Sequence, residues 1–165
     1  MIRWAFLLPF CILLNALGQD QAVRETLRPP SGEKLVLQVH ATGDQIYVCK
    51  QAAWTFQAPE AKLFDAAGKQ VGKHFAGPTW ESSDGSQVKG KLVASAPSPD
   101  AAAIPWLLLT AAEHHGSGVM ASVTSIQRLY TRSGKPPAQG CDAGHEGTES
   151  RSRYAADYYF YVRAN

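Results

Sequence analysis

His74, Trp80, Glu81 and Asp84 lie close together in the stretch 71–90, which reads VGKHFAGPTWESSDGSQVKG. A histidine next to a carboxylate is the pair that general acid–base catalysis uses, and the same residue types serve as metal ligands. If the chain folds back within this stretch, His74 and Glu81 approach across two strands. That makes His74, Glu81 and Asp84 the catalytic candidates. An architectural account competes with it. Asp84-Gly85 is what a tight turn requires, because glycine takes the positive φ that other residues resist, and Trp80 at strand spacing belongs to a core or rim as readily as to a ligand platform.

Trp80, Arg128, Asp157 and Tyr158 are the ligand-binding candidates. Arg128 shares a strand face with Thr124 and Ile126, and a charge on an inward face must be paired, with Glu81 or Asp157 as the partners in reach. An exposed arginine at a strand end fits the pattern as well. The aromatics Trp54, Phe56, Trp80, Trp106, Tyr154, Tyr158, Tyr159 and Tyr161 either line a concave apolar or carbohydrate-stacking face or build the core. His114-His115 beside Glu113 lacks a third local ligand and reads as a solvated loop, as does His145-Glu146. No G-x-S-x-G, H-E-x-x-H or G-x-G-x-x-G is present, so no nucleophile elbow, zinc helix or dinucleotide fingerprint is indicated. The residues call for no metal and no cofactor.

The N-terminus sets the expected compartment. Arg3 followed by the apolar run 4–17 and the small residues of Ala16-Leu17-Gly18 has the form of a signal peptide over 1–18, with the mature chain starting near Gln19. The run is short for a membrane span, and Cys11 leaves with it. A formal net charge of +2 gives no electrostatic case for nucleic acid or an anionic membrane surface. Cys49 and Cys141 then remain, and in an oxidising compartment an isolated pair reads as a disulfide. It would close a loop of about 92 residues, worth roughly 4–5 kcal/mol in the loop-entropy model. A metal pair is the competing account, to which the spacing gives no help.

The elements that would position these residues are strands. A polar arm over 19–33 precedes the β domain at 34–165. Alternation predicts strands at 34–40 and 45–50, joined at Thr42-Gly43-Asp44 as a hairpin. Trp54-Thr55-Phe56 is a short extended piece, broken at Ala58-Pro59-Glu60 before 61–65. Residues 66–69 form a hairpin turn, and long strands are expected at 86–96 and 119–130, with a strand in the apolar run 104–109. Residues 113–118 are a polar loop, 133–150 an irregular glycine-rich segment tied down by Cys141, and 154–162 the last strand. This is an all-β, single-domain antiparallel β-sandwich or closed barrel of about ten short strands with one disulfide.

The chain resembles a secreted family catalogued as domain of unknown function 3455. The matching pieces are Gln45-Ile46-Tyr47-Val48-Cys49, Trp54-Thr55-Phe56, Pro59-Glu60-Ala61, residues 71–88, Ile104-Pro105-Trp106-Leu107-Leu108, Ile126-Gln127-Arg128, Pro137 with Gly140-Cys141-Asp142, and Tyr154 with Asp157-Tyr158. The resemblance implies no established activity. The function expected is that of a secreted or periplasmic, non-catalytic binding or structural module. One alternative is a metal-binding protein or hydrolase-type enzyme using His74 with Glu81 or Asp84; another is a cell-envelope interaction protein. Partners in keeping with this are a small-molecule or cell-envelope ligand, with no nucleic acid and no membrane span once the signal is cleaved.

Overall fold

The computed structural model describes residues 25–164. The signal segment 1–18 and the cleavage point near Gln19 lie outside the described residues. Eight strands follow one another: β1 (Glu33–Lys50), β2 (Ala53–Phe64), β3 (Gln70–Phe75), β4 (Thr79–Ser82), β5 (Gln87–Ala96), β6 (Trp106–His115), β7 (Ser125–Ser133) and β8 (Glu149–Arg163). Each pairs antiparallel with the next, and β8 pairs back onto β1, so one sheet closes into a barrel. The all-β antiparallel fold is as expected. The strand number is eight and not about ten, because two expected breaks are continuous strand.

The first of these is Thr42-Gly43-Asp44, read as a turn. It lies mid-strand in β1, where Gly43 pairs with Ala61 on one side and Tyr154 on the other. Glycine is there for close approach: a Cβ at Gly43 would sit 2.1 Å from the Glu60 carbonyl oxygen and 2.5 Å from the Ala61 Cα. Pro59 is the second. It pairs with Gln45 inside β2 next to a bulge at Ile46/Tyr47. The paired part of β3 reaches only Ala61 to Phe64, so Pro59 faces no partner on its other side and its missing N–H costs little.

Two boundaries also differ. His114 and His115 end β6, paired with Val88 and Gln87, and are not in a loop. Residues 119–122 form turns and 123–124 an irregular step before β7, whose first residue is Ser125. There Met120 and Val123 plug the barrel end with 1% exposure each. The irregular segment before β8 is fastened as expected. Cys141 is bonded to Cys49, Trp54 Nε1 donates to the Gln139 carbonyl at 3.0 Å, and the Gln51 N–H donates to Glu146 at 2.9 Å.

Period-two alternation fills the interior. Val39, Ala41, Ala61, Leu63, Trp80, Val88, Leu109, Ile126, Tyr154, Ala156, Tyr158 and Phe160 form one buried cluster. A smaller cluster of Ala96, Trp106, Leu108 and Leu129 is covered by Leu27, whose carbonyl accepts from Gln127 Nε2 at 2.7 Å. The two clusters contain opposite faces of β6, which explains its unbroken apolar run. Among the described residues, no helix is long and apolar enough to cross a membrane.

Asp84 joins two turns at one end of the barrel. Its carboxylate accepts the Ser86 hydroxyl at 2.5 Å, the Val119 N–H at 2.9 Å and the Ser86 N–H at 2.9 Å. Gly118 lies so close that a Cβ there would be 2.4 Å from Oδ2. These bonds, that of the Ser86 hydroxyl foremost, lower the Asp84 pKa to about 2.

Two outcomes are expected. A folded pKa below the unfolded value of about 3.9 contributes stability that is present above that pH and lost as pH falls toward 2. The melting-temperature gap between wild type and Asp84→Asn should therefore be constant near neutrality and close below pH about 4; a gap independent of pH would show that Asp84 acts without its charge. Gly43→Ala should lower the unfolding free energy by about 3 kcal/mol in urea titration. A loss under about 1 kcal/mol would mean that β1 and β2 are not packed as described.

Candidate functional site at the polar end of the barrel

Cross-strand register decides which of the sequence candidates meet. Along one lateral row, Trp80 pairs with His74, His74 with Ala61, Ala61 with Gly43, and Gly43 with Tyr154. A neighbouring row runs from Leu107 through Arg128 and Tyr158 to Val39. Partners directly opposite in an antiparallel sheet share a face. His74, Trp80, Arg128, Tyr154 and Tyr158 consequently point into the same interior. His74 stacks on Trp80 at 4.4 Å between ring centroids, and Tyr158 meets both rings edge-on at 5.2 and 5.3 Å.

The carboxylates are elsewhere. Glu81 pairs with Lys73, one residue out of phase with His74, and so faces outward, where it contacts Lys73 at 3.0 Å and Gln87 at 2.7 Å. Asp84 occupies the turn at the far end of β4. Asp157 is also out of phase with Tyr158 and bonds His40 at 2.8 Å on the outer surface. Neither Glu81 nor Asp157 is the partner of Arg128. Its Nε and Nη2 instead donate to the Pro105 carbonyl at 3.1 and 2.9 Å, and among the described residues its charge meets no carboxylate.

His74 is buried, and its Nδ1 lies 2.8 Å from the Thr79 carbonyl. A carbonyl only accepts, so Nδ1 carries the proton. Burial, with a smaller contribution from the Arg128 charge, lowers its pKa to about 3, against the raising effect of the Thr79 bond. The ring is neutral at ordinary pH and has lost the near-neutral titration that a general base uses.

Three further groups complete the setting. Gln45, 2% exposed, follows Val39, Ala41 and Gly43 on the inward face of β1. Tyr47 lies two residues on and donates its hydroxyl to the Gly134 carbonyl at 2.8 Å. Gly134, at φ 88°, lies over Tyr154 and Gln45 so closely that a Cβ would be 2.7 Å from the Tyr154 Cβ. The Ala103–Gly134 bridge and the Thr131 hydroxyl, donating to the Ile104 carbonyl at 2.6 Å, hold this cap in place. Arg128 thus pins the cap from beneath through Pro105.

Several polar atoms in this interior are orphaned. Gln45 Nε2, Trp80 Nε1 and the hydroxyls of Tyr154 and Tyr158 are buried without a hydrogen-bond partner among the described residues. The Tyr154 hydroxyl lies within hydrogen-bonding reach of Tyr158 and Gln45, and that of Tyr158 within reach of Tyr154 and Arg128, but none of these contacts has the alignment of a full hydrogen bond. Burial pushes both phenols up, and the Arg128 charge offsets part of the rise.

A concavity of about 640 Å³, open to solvent, lies at the other end between residues 30–33, the end of β6, Val123-Thr124 and the close of β8. Two of its polar groups are engaged: Glu33 accepts from the Ser125 hydroxyl, and His114 Nε2 contacts the Val123 carbonyl at 2.8 Å. The exposed large apolar side chains, among them Leu35, Phe56, Leu92 and Tyr130, are spread over four strands.

Gln45 is the residue that sequence reasoning missed. The phase Val39, Ala41, Gly43 leads to it, but a turn placed at Gly43 resets that phase. Tyr154 carried the same signal as Tyr158, four residues apart on one strand face. Among curated proteins and solved structures, nothing matches the chain. A family model does, over residues 30–162, and so the chain belongs to the family described as protein of unknown function (DUF3455).

Proposed function

We propose that this chain is an exported, non-catalytic binding module that takes a small molecule at the polar end of its barrel. One observation carries it. The Tyr154 and Tyr158 hydroxyls and Gln45 Nε2 are deeply buried around Arg128 and lack hydrogen-bond partners among the described residues. Leaving such a group bare costs about 1–3 kcal/mol, and phenylalanine would fill nearly the same volume without that cost. A barrel selected for stability alone has no use for the hydroxyls. A polar guest that bonds them gives them one.

Export is supported by the basic and apolar N-terminal sequence and by a disulfide suited to an oxidising compartment. The acid–base alternative lacks the contact it needs, since Glu81 faces out and Asp84 serves a turn at the other end. The aromatic walls formed by Trp80, His74 and Tyr158 suit a guest whose body is apolar.

Tyr154→Phe and Tyr158→Phe should leave the melting temperature of the guest-free protein unchanged or raise it, by up to the equivalent of about 1–3 kcal/mol each. Calorimetric melting of refolded, dialysed protein is the check. A loss of more than about 1 kcal/mol from each variant would mark the hydroxyls as satisfied structural groups and sink the proposal.

A further inference from the structure

We infer that the group recognised at the polar end is a carboxylate, carried by a small monoanionic organic acid. This deepens the binding reading above and rests on it. Several inward groups around Arg128 can donate and have no aligned acceptor: the remaining guanidinium N–H groups, the Gln45 amide N–H groups and two phenolic hydroxyls, which can accept as well. What the described residues do not supply is a negatively charged acceptor that all of these groups can share.

Charge narrows the choice. Arg128 is the one cation among the described inward residues, and its pairing so far is with a neutral carbonyl. The neighbouring acids are committed elsewhere: Glu81 to Lys73, Asp157 to His40, and Asp84 to the Ser86 and Val119 turns. The neutral His74 ring adds no positive charge. A half-buried guanidinium facing low-dielectric walls favours a single compensating negative charge.

A carboxylate supplies that charge with two coplanar acceptor oxygens, the geometry that a guanidinium edge matches. A phosphate dianion would leave one charge unmatched in the same surroundings. An amine would face Arg128 and a ring of donors. A sugar hydroxyl would satisfy some of the donors and leave the cation unpaired. Beyond the carboxylate, the stacked His74 and Trp80 rings with Tyr158 edge-on to both make the buried surroundings aromatic, so a planar apolar body is favoured over a polar one.

Isothermal titration with sodium benzoate, sodium acetate, benzamide and inorganic phosphate tests this, with quenching of tryptophan fluorescence as a second signal. Benzoate should bind one to one with Kd of about 1 mM or tighter, acetate more weakly, and benzamide at least tenfold more weakly than benzoate. Phosphate should not compete. Arg128→Gln should lose about tenfold or more in benzoate affinity, and Tyr158→Phe, chosen because it keeps the packing, about threefold or more.

Benzamide binding as well as benzoate would overturn the carboxylate assignment and leave the binding module standing. Competition by phosphate would replace the organic acid with an inorganic oxyanion and overturn it likewise. Failure of both carboxylates to bind overturns it too. If the phenylalanine variants are then also destabilised, the binding reading falls with it.

Discussion

The pairing of β8 with β1 is the constraint on which the rest depends. Two of the longest strands lie side by side from Glu33 opposite Arg163 to Val48 opposite Glu149. By closing the sheet they leave no edge strand along this seam and give every residue of β8 a fixed inward or outward sense. Slipping that seam by one residue would turn Tyr154, Ala156, Tyr158 and Phe160 to solvent and bring Asp157 and Tyr159 inside. The burial of the first four, each at 3% exposure or less, is what holds the register.

Within that frame the interior is divided. Toward the Asp84 end it is apolar, with Val88, Leu109, Met120, Val123, Ile126 and Phe160 in contact. Toward the disulfide end it holds Gln45, Tyr47, Arg128, Tyr154 and Tyr158 beneath a cap formed by residues 103–105 and Gly134. The first end supplies the hydrophobic stabilisation that tolerates unsatisfied groups at the second. His74 and Trp80 sit between the two, and their neutral stacked rings give the polar end an apolar wall without adding charge.

Much of the fold was legible because strands announce themselves by alternation. The turns at 66–69 and at Asp84-Gly85 were readable from glycine, whose positive φ both use, whereas Asp65, whose carboxylate accepts from Ala67 and Lys69 in the first of them, was read as the end of a strand. The disulfide followed from two surviving cysteines. Gly43 and Pro59 misled for one reason: both residues are common in turns, and only the neighbouring strands make them strand residues. Gly43 yields to the backbone of β2, while Pro59 lies where β3 does not reach. Local sequence contains neither fact.

Apart from Gln45, the site was legible in its members and not in their grouping. His74, Trp80, Arg128 and Tyr158 carried the right signals, since each is a polar or aromatic residue at an inward strand position. Glu81 and Asp157 were drawn in by nearness along the chain, whereas sidedness in a strand separates immediate neighbours. Arg128 found its partner in the Pro105 carbonyl, a main-chain group that no side-chain pattern reveals.

The most direct measurement is an electron-density map of the purified protein at a resolution near 1.2 Å, where guest, water and side-chain hydroxyls are distinguishable. A bound organic acid gives planar density, larger than water, within hydrogen-bond distance of Arg128 and of at least two of Gln45 Nε2, Tyr154 Oη and Tyr158 Oη. A closed network in which these atoms bond only one another and isolated waters would contradict the binding reading.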